Sequence, residues 1–274
     1  TKLLAALLAI DAHIYGLCEV QQGQLALQDI VNGLNELTGS AKYSFINDGG
    51  TSTSTYTKVG YIYNNQVVAT VGDLRNLNSP SPYNRKKAQA FKLLSNNEKV
   101  IISLNHFKAK NCSGATDVNL DMGEGCFNAD RVAEANAVLS FLETAKSYYS
   151  DNDVLIIGDL NSYAKEMPIL KLINAGYTNE LLRWQADTAY SYMYNGEAGY
   201  LDHALSSPTL TSQVTGATVF HINADELNMF EYQNASTYQA NMYRCSDHDP
   251  VIVGLRLGNP SSVNNTVHSK WVVS

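Results

Sequence analysis

The chain has 274 residues, of which 45% are hydrophobic and 16% charged; this balance excludes a disordered protein and indicates a packed globular one. Its 26 acidic and 19 basic residues give a net charge of −7, so any polyanionic substrate must be held by a local basic site or a bound metal ion. No apolar stretch approaches the roughly 18 residues of a membrane span, and no membrane partner is predicted.

The first half of the chain predicts helices followed by strands. The predicted elements are a helix at 2–10, a strand at 14–20, a helix at 24–37, strands at 42–46, 58–63 and 66–71, a helix at 85–95 and a strand at 100–108. The opening TKLLAALLAI has one lysine before an apolar run, as a signal peptide does. No small-residue cleavage pattern follows it, so a helix packed on a sheet is favoured.

The second half continues this mixed pattern. It predicts a helix at 127–147, a strand at 154–161, a short helix at 166–174 and strands near 190–194, 200–205 and 250–257. Surface loops are predicted at 49–57 and 230–243. The sequence shows no break in composition and no repeat, so residues 1–258 are predicted to form one α+β or α/β domain. Residues 259–274 are predicted to form a polar tail that combines a linker with a docking strand.

Five apolar strands carry acid, amide or imidazole groups at one end. These groups are Glu19, Asn105 and His106, Asp159 and Asn161, Asp202 and His203, and Asp247, His248 and Asp249. Each alone has a plain interpretation as a solvated end, a turn former or a structural histidine. Five in one domain indicate a site, because sheets of this kind build their sites at strand ends.

The order and the amino-acid sequences of these segments resemble those of the endonuclease/exonuclease/phosphatase superfamily, and within it those of the secreted bacterial extracellular nucleases. The matching segments are GEGCFNADR (123–131), IGDLNSYAKEMPI (157–169), GYLDHAL (199–205), HINADEL (221–227) and SDHDPVIVGL (246–255). The resemblance implies an α+β sandwich of two packed, mainly antiparallel sheets flanked by helices. It also implies cleavage of phosphoesters with a divalent metal, Mg²⁺ or in its place Mn²⁺ or Ca²⁺.

The same resemblance implies roles for the residues at the strand ends. Glu19 is expected to bind the metal, and His248 to take a proton from water while Asp202 orients its imidazole. His106 would donate to the leaving oxygen or stabilise phosphate charge, with Asp247 as its carboxylate partner or as a further metal ligand.

Asp159 and Asn161 are expected to line the pocket, where the carboxylate orients the nucleophile and the amide donates to a phosphoryl oxygen. Asn105, Arg131 and Tyr163 are candidates for substrate binding. The alternative for Arg131 is a place on a solvated helix face, and the alternative for Tyr163 is a packing role; in each case the sequence favours neither over substrate binding. No catalytic role follows for the HINADEL segment, and His203 is expected to be structural.

The four cysteines are an even number, and tyrosine, serine, threonine and asparagine are abundant, as in extracellular proteins. A secreted protein is therefore predicted. Cys112 and Cys126 flank an acidic loop and are expected to pair. Cys18 and Cys245 stand where the family pattern has other residues, and a Cys18–Cys245 bridge is expected if their segments meet; the alternative for all four is buried free thiols.

The family pattern begins with a strand that carries an asparagine near the metal, whereas this sequence starts at the following helix. Either that strand lies on a piece not present here, or another segment, such as WVV in the tail, takes its place. Self-assembly through the missing strand or through the tail is a further expectation.

Three functions compete. The leading hypothesis is a nucleic-acid phosphodiesterase, most plausibly an endonuclease acting on DNA, or else on RNA. The second is a phospholipid or phosphomonoester hydrolase, which should expose an apolar loop near the site; no such loop is predicted. The third is a non-catalytic binding or assembly module, against which the retained set of polar residues argues.

Overall fold

The computed structural model describes residues 1–50, 56–79, 85–231, 233–258 and 269–273, the last range as backbone only. The predicted loop at 49–57 lies mostly outside these residues, and the predicted linker at 259–268 lies wholly outside them. Among the described helices, none combines the length and apolar character needed to span a bilayer.

Six α-helices and fourteen strands make up the described part of the chain. The helices are α1 (Lys2–Ile10), α2 (Leu25–Thr38), α3 (Asn128–Tyr149), α4 (Met167–Asn174), α5 (Glu180–Gln185) and α6 (Pro208–Thr211). The strands are β1 (Ile14–Gln21), β2 (Tyr43–Phe45), β3 (Thr57–Asn64), β4 (Val68–Asn76), β5 (Lys86–Leu93), β6 (Lys99–Asn105), β7 (Val154–Asp159), β8 (Thr178–Asn179), β9 (Tyr192–Tyr194), β10 (Glu197–Gly199), β11 (Asp202–Ser206), β12 (Val214–Val219), β13 (Val251–Leu255) and β14 (Ser269–Val273).

The strands form two six-stranded sheets and a separate β9–β10 hairpin. The first sheet has the order β12-β13-β14-β1-β3-β2 and is antiparallel except between β14 and β1. The second has the order β4-β5-β6-β7-β11-β8 and is antiparallel except between β6 and β7. The predicted α+β sandwich of two mainly antiparallel sheets is confirmed.

The sheets pack face to face and helices cover their outer faces. One core cluster joins both sheets, for example through Ile14, Leu104 and Val253. A second joins α3 and α4 to the second sheet, and a third joins α1 and α2 to the first. Because β7 contributes Ile157 to the first cluster and Ile156 to the second, both its faces are buried, which explains its unbroken apolar run.

The predicted helix at 85–95 is wrong: residues Lys86–Leu93 form β5 in the second sheet. The sequence KKAQAFKL is rich in good helix formers. Both lysines are instead fully buried, since Lys86 pairs with Glu134 at 2.9 Å and Lys87 pairs with Asp48. Sheet packing and buried ion pairs override the local preference here.

Asp48 connects the two sheets through buried charges. Its carboxylate also accepts two 2.9 Å hydrogen bonds from Lys58 of β3, and Gln24 donates to it at 2.6 Å. One buried carboxylate thus pairs with two buried ammonium groups. Coulombic attraction to Lys87 and the hydrogen bonds outweigh burial and hold the pKa of Asp48 well below its usual range.

A strand of the C-terminal tail lies in the middle of the first sheet. β14 pairs in parallel with β1, where Ile14 faces Trp271 in register, and antiparallel with β13, where Val253 faces Trp271. The tail thereby satisfies backbone groups of β1 and β13 that would otherwise lack a partner. The WVV segment of the tail, expected to dock, is thus part of the first sheet.

Candidate active site

Most of the predicted site residues gather at one end of the two sheets. Glu19 lies near the end of β1, His106 follows β6, Asp159 ends β7, Asp202 begins β11 and His248 precedes β13. Because β6 and β7 are parallel their last residues meet at one edge, and because β11 is antiparallel to β7 its first residue joins them. The strand topology therefore assembles side chains from distant parts of the sequence.

Glu19 is turned out of β1 by a bulge. The pairing of β1 with β3 shifts register between Leu17 and Val20, and Glu19 adopts a left-handed φ of 56°. Its side chain is 72% exposed, and its Oε1 lies 4.0 Å from Nε2 of His106. The bulge thus presents a solvent-accessible carboxylate to the buried imidazole.

Gly158 allows Asp159 to reach the site. Its φ is 125°, and a Cβ atom at this position would lie 1.9 Å from the carbonyl oxygen of Asn105. Only glycine tolerates both the conformation and this close approach of two strands. The GD pair at the end of β7 is therefore a structural requirement for placing the carboxylate.

Asp159 is buried and held by Asn161. The backbone N–H of Asn161 donates to Oδ1 at 2.8 Å, and its side-chain Nδ2 donates to Oδ2 at 3.0 Å. Nδ2 also donates to the carbonyl of Phe107 at 3.1 Å, so both amide hydrogens are used within the protein. The expected donation from Asn161 to substrate is thus not what the structure shows; Asn161 positions Asp159.

His248 and Asp202 form a hydrogen-bonded dyad. Nδ1 of His248 lies 2.7 Å from Oδ2 of Asp202, which also accepts from the hydroxyl of Ser191 at 2.6 Å. Asp202 is fully buried. The imidazole of His248 also packs against the ring of Tyr192, with the two ring centroids 4.7 Å apart. A carboxylate on Nδ1 fixes the ring and leaves Nε2 for proton transfer. Ser191 was not identified from the sequence.

The protonation states differ sharply between the two histidines. Burial lowers the pKa of His106 to about 3, assisted by the positive charges of Arg85 and His248. Burial also lowers the pKa of His248, but the charge and hydrogen bond of Asp202 outweigh it, with Asp159 contributing, and raise the pKa to about 10. At neutral pH His106 is therefore a neutral hydrogen-bonding group, and His248 is a cation paired with carboxylate.

The acidic groups suit a hard divalent cation. Asp159, Asp202 and His248 each offer a ligand atom, and these atoms lie within 4.8 Å of one another. Oδ1 of Asp202 is buried without a hydrogen-bond partner among the described residues, and burial raises the pKa of Asp159 to about 7. Buried carboxylates with unmet oxygen atoms are the donors that Mg²⁺ prefers. The carboxylate of Asp159, with that of Glu19 at the rim, fits the metal that was predicted.

A cavity of about 610 Å³ contains this cluster. Its lining includes Glu19, Asp159, Asp202, Asp247 and His248. The predicted convergence on one site is thus present in the structure. Carboxylates and a dyad line one cavity, and the imidazole of His106 lies beside Glu19 and Asp159. Together these groups can bind a cation, activate water and donate a hydrogen bond to an anionic group.

Comparison with known proteins identifies the family. Residues 1–248 match the Endonuclease/Exonuclease/phosphatase family. The chain belongs to this family. Its members are hydrolases that act on phosphoester bonds and generally depend on a divalent metal. No curated protein matches the sequence.

Solved structures of family proteins share the fold. The mannosyl-6-phosphatase of Bacteroides thetaiotaomicron is 14% identical, with a TM-score of 0.62 over 93% of this chain and 89% of that one. A 3′-5′ exonuclease from Neisseria meningitidis is 14% identical, with a TM-score of 0.57 over 89% of each chain. Truncated TDP2 from Caenorhabditis elegans is 14% identical, with a TM-score of 0.56 over 91% and 86%. Identities this low show the fold alone.

The HINADEL segment, for which the sequence suggested no role, supports the position of His248. Oδ1 of Asp249 accepts hydrogen bonds from three consecutive backbone N–H groups, those of Ile222, Asn223 and Ala224, at 2.7–3.1 Å. Asn223 in turn donates to the carbonyl of His248 at 2.7 Å. Asp249 is therefore a positioning residue that locks the loop before β13. A carboxylate directly after a family histidine was the available signal.

Two predicted contacts are wrong. Asp247 is exposed, and the carboxylates nearest His106 are those of Asp159, at 3.5 Å, and Glu19; Asp247 does not pair with that imidazole. Asp247 remains at the cavity mouth as a candidate ligand. Asn105 is fully buried and its amide donates to Ser103, so it cannot contact substrate as predicted.

Arg131 and Tyr163 also depart from the predicted substrate contacts. Arg131 is fully buried in α3 and donates to the backbone carbonyls of Lys108, Cys126 and Glu124, which fixes the preceding loop. Tyr163 packs against Gly199 of the β9–β10 hairpin, and the ammonium group of Lys110 lies 5.2 Å from its ring centre. Both side chains support loops around the site. His203 is structural as expected: it is buried, with Nε2 2.7 Å from the carbonyl of Ser162.

The cysteines divide into one pair and two thiols. Cys112 and Cys126 form a disulfide that closes the loop before α3. The predicted Cys18–Cys245 bridge is absent, and both are free thiols although both line the main cavity. Cys18 instead directs its Sγ to the carbonyl of Asn105 at 3.8 Å.

An exposed apolar loop stands near the site, contrary to prediction. Leu227 and Met229 are 62% and 49% exposed, on either side of Asn228. Asn228 lines a groove that shares Glu19 and Asp247 with the main cavity. The sequence did not reveal this loop, because two separated apolar residues within a polar segment form no recognisable pattern.

Proposed function

We propose that this family member is a secreted, divalent-metal-dependent phosphodiesterase that hydrolyses nucleic acid, with DNA as the preferred substrate. The observation that carries the proposal is the His248–Asp202 dyad beside the buried carboxylate of Asp159. Water, a base and a cation site are the parts that hydrolysis of a phosphodiester needs.

Asp159 and Glu19 would hold the metal, with Asp247 as a further candidate ligand. When bound, the cation would neutralise charge on the phosphate and lower the pKa of water in the site. With Asp159 so engaged, its negative charge would raise the pKa of His248 less, which favours the imidazole as a base.

The protein groups around the phosphate then have separate roles. Nε2 of His248 takes the proton from water, while Asp202 stabilises the imidazolium that forms. His106, uncharged at neutral pH, donates a hydrogen bond to a phosphoryl or leaving oxygen through Nε2, which already faces Asp159 and Glu19. Stabilising charge that develops in the transition state is the larger part of such catalysis.

Three observations support a secreted nuclease. The sequence segments around the site resemble those of secreted bacterial extracellular nucleases. One solved structure with the same fold is described as a 3′-5′ exonuclease. The Cys112–Cys126 disulfide favours an oxidising compartment, since such bonds are rare in the cytosol.

A second candidate is hydrolysis of a phospholipid or phosphomonoester. The exposed side chains of Leu227 and Met229 favour it, because an apolar loop beside the site would suit a lipid surface. One solved structure with the same fold is described as a mannosyl-6-phosphatase. Both candidate functions use the same His248–Asp202 dyad, and they differ only in the substrate.

The test is cleavage of three substrates by the purified chain: supercoiled plasmid DNA, phospholipid vesicles and mannose 6-phosphate, each with Mg²⁺, Mn²⁺ or Ca²⁺. Nicking of plasmid that EDTA abolishes and added metal restores is expected. If phosphate or a lipid headgroup is released but the plasmid is not nicked, the second candidate function is supported and the first is wrong. No reaction with any substrate and metal would indicate the non-catalytic module.

A further inference from the structure

A second groove, of about 550 Å³, adjoins the cavity that contains the dyad. The two share Glu19, Ser246 and Asp247, and the groove continues between the β9–β10 hairpin and the loop before β13. Whatever is attached to a phosphate in the main cavity can extend into this groove. Its lining therefore contacts the part of the substrate next to the reacting phosphate.

Arg244 lines the groove with a guanidinium group that is almost fully buried. The arginine side chain is 7% exposed; Nη1 donates to the carbonyl of Asn223 at 2.7 Å, and Nη2 donates to Asn228 and to Glu231. Its Nε is buried and has no hydrogen-bond partner among the described residues. A buried N–H without a partner is costly, and a ligand acceptor would satisfy it.

Tyr192 supplies an aromatic face at the junction with the site. It begins β9, its ring is half-buried against that of His248, and it lines the groove. Tyr163 packs beneath the hairpin at Gly199 and so fixes the hairpin that carries Tyr192. A tyrosine held in this way offers an apolar face against which the C–H face of a ring can pack.

The charges of the groove disfavour a second phosphate. Among the described lining residues the carboxylates are Glu19, Glu231 and Asp247, and the only cation is Arg244, which already pairs with Glu231. Glu19 and Asp247 are also the proposed metal ligands, so Glu231 is the carboxylate left to the groove. Paired with Arg244 it leaves no net positive charge among the described lining residues for a second phosphate, and its oxygens accept hydrogen bonds from hydroxyl groups. The lining chemistry, an aromatic face with acids and one buried donor, suits a neutral ring that carries hydroxyls.

We propose that this groove is a subsite for a sugar ring joined to the reacting phosphate, with Tyr192 against the ring face, Glu231 accepting from hydroxyls and Arg244 donating to a ring or hydroxyl oxygen. The inference rests on the proposed phosphoesterase function of the adjoining site. The ring has two sources, the pentose of a nucleotide or a hexose phosphate, which share this chemistry and which the substrates below separate.

The kinetic test compares kcat/KM for three phosphoesters: the p-nitrophenyl ester of thymidine 5′-phosphate, glucose 6-phosphate and the sugar-free bis(p-nitrophenyl) phosphate. The variants are Y192A, E231Q and, as a control on the same hairpin, Y194A, whose tyrosine is 59% exposed and does not line the groove. We expect the ratio of sugar ester to sugar-free ester to fall about tenfold in Y192A, and measurably in E231Q, with Y194A unchanged. Equal ratios in all four proteins would overturn the subsite.

A binding test separates this inference from the proposed function. Saturation-transfer NMR with uridine and with methyl mannoside, neither of which carries phosphate, should detect contact with the parent protein in EDTA and its loss in Y192A, with thermal melting as the check on folding. If the sugars bind but no phosphoester is hydrolysed, the proposed function is wrong and the subsite is supported. Hydrolysis without binding of either sugar, or binding that Y192A retains, would remove the subsite; the preferred sugar identifies its source.

Discussion

Asp159 and Asp202 are direct partners on the antiparallel strands β7 and β11, and both carboxylates are buried. Like charges opposite each other on neighbouring strands destabilise a sheet unless something compensates them. Asn161 and Ser191 donate hydrogen bonds to them, and the His248 cation lies beside both. The register of two strands thus creates the negative charge that a divalent ion can neutralise.

Asp202→Asn is expected to lower kcat by roughly 10²–10⁴-fold without unfolding the domain, because the amide cannot stabilise the imidazolium of His248. Removing the carboxylate also lowers the raised pKa of His248, so the rise of activity with pH should move to lower pH. The measurement is a pH–rate profile at fixed metal concentration, with the exposed Asp187→Asn as control. An unchanged profile would show that His248 is not the base.

The same dyad contributes to stability in a defined pH window. The folded pKa of His248, about 10, lies above its ordinary value of 6.5. The stabilisation is therefore complete below the ordinary value and is lost as the pH rises towards 10. Denaturant unfolding at pH 6 and pH 10 should show a larger loss for the parent protein than for His248→Ala.

Gly158→Ala is expected to reduce the free energy of unfolding by more than about 4 kcal/mol, since its Cβ would overlap the carbonyl of Asn105 at a left-handed φ. Gly216→Ala is the matched control, because a Cβ there meets nothing within 4 Å; its effect should stay below about 1 kcal/mol. Urea denaturation of both variants checks this. Similar values for the two would mean that β6 and β7 can separate freely at the site.

Asp48→Asn should destabilise the fold by about 3–5 kcal/mol, because it leaves Lys58 and Lys87 buried without a counter-charge. The folded pKa of Asp48 is depressed, so its contribution is present above the ordinary aspartate pKa and is lost as the pH falls through the folded value. Thermal melts from pH 7 to pH 2 should be less acid-dependent in the variant. If the melting temperature of the variant fell with decreasing pH as much as that of the parent protein, Asp48 would not be the cause of the acid dependence.

Native alkylation should leave Cys18 and Cys245 largely unmodified, because burial raises the pKa of both thiols. After unfolding without reductant, mass spectrometry should find two alkylated cysteines and one disulfide-linked peptide pair, Cys112 with Cys126. Rapid labelling of the native protein would show that the cavity exposes these thiols. Four labelled cysteines in the unfolded chain would exclude the disulfide.

The sequence was informative where one strand satisfies a simple pattern. The run VLIIGD predicted a fully buried strand with a carboxylate at its tip, and β7 has that form. It misled at Lys86 and Lys87, whose partners Glu134 and Asp48 are remote in sequence. Buried ion pairs of this kind cannot be read from local periodicity.

The site shows the same division. The family segments predicted which strand ends converge, but they did not separate residues that face the cavity from those that support it. Arg131 and Asn105 carry the polar groups expected of substrate contacts and use them on the protein itself. The Asn195-Gly196 turn, by contrast, was a readable hairpin signal that would have placed β9 and β10 beside the site.

The position of β14 has a consequence for how the molecule reaches its native state. Its hydrogen bonds to β1 join residues 14–16 to residues 271–273, so during synthesis on the ribosome the middle of that sheet cannot close until β14 has emerged. Contacts this distant along the chain slow folding, and until they form β1 and β13 expose backbone edges open to other strands. The newly made chain is therefore vulnerable to aggregation until β14 has emerged and paired.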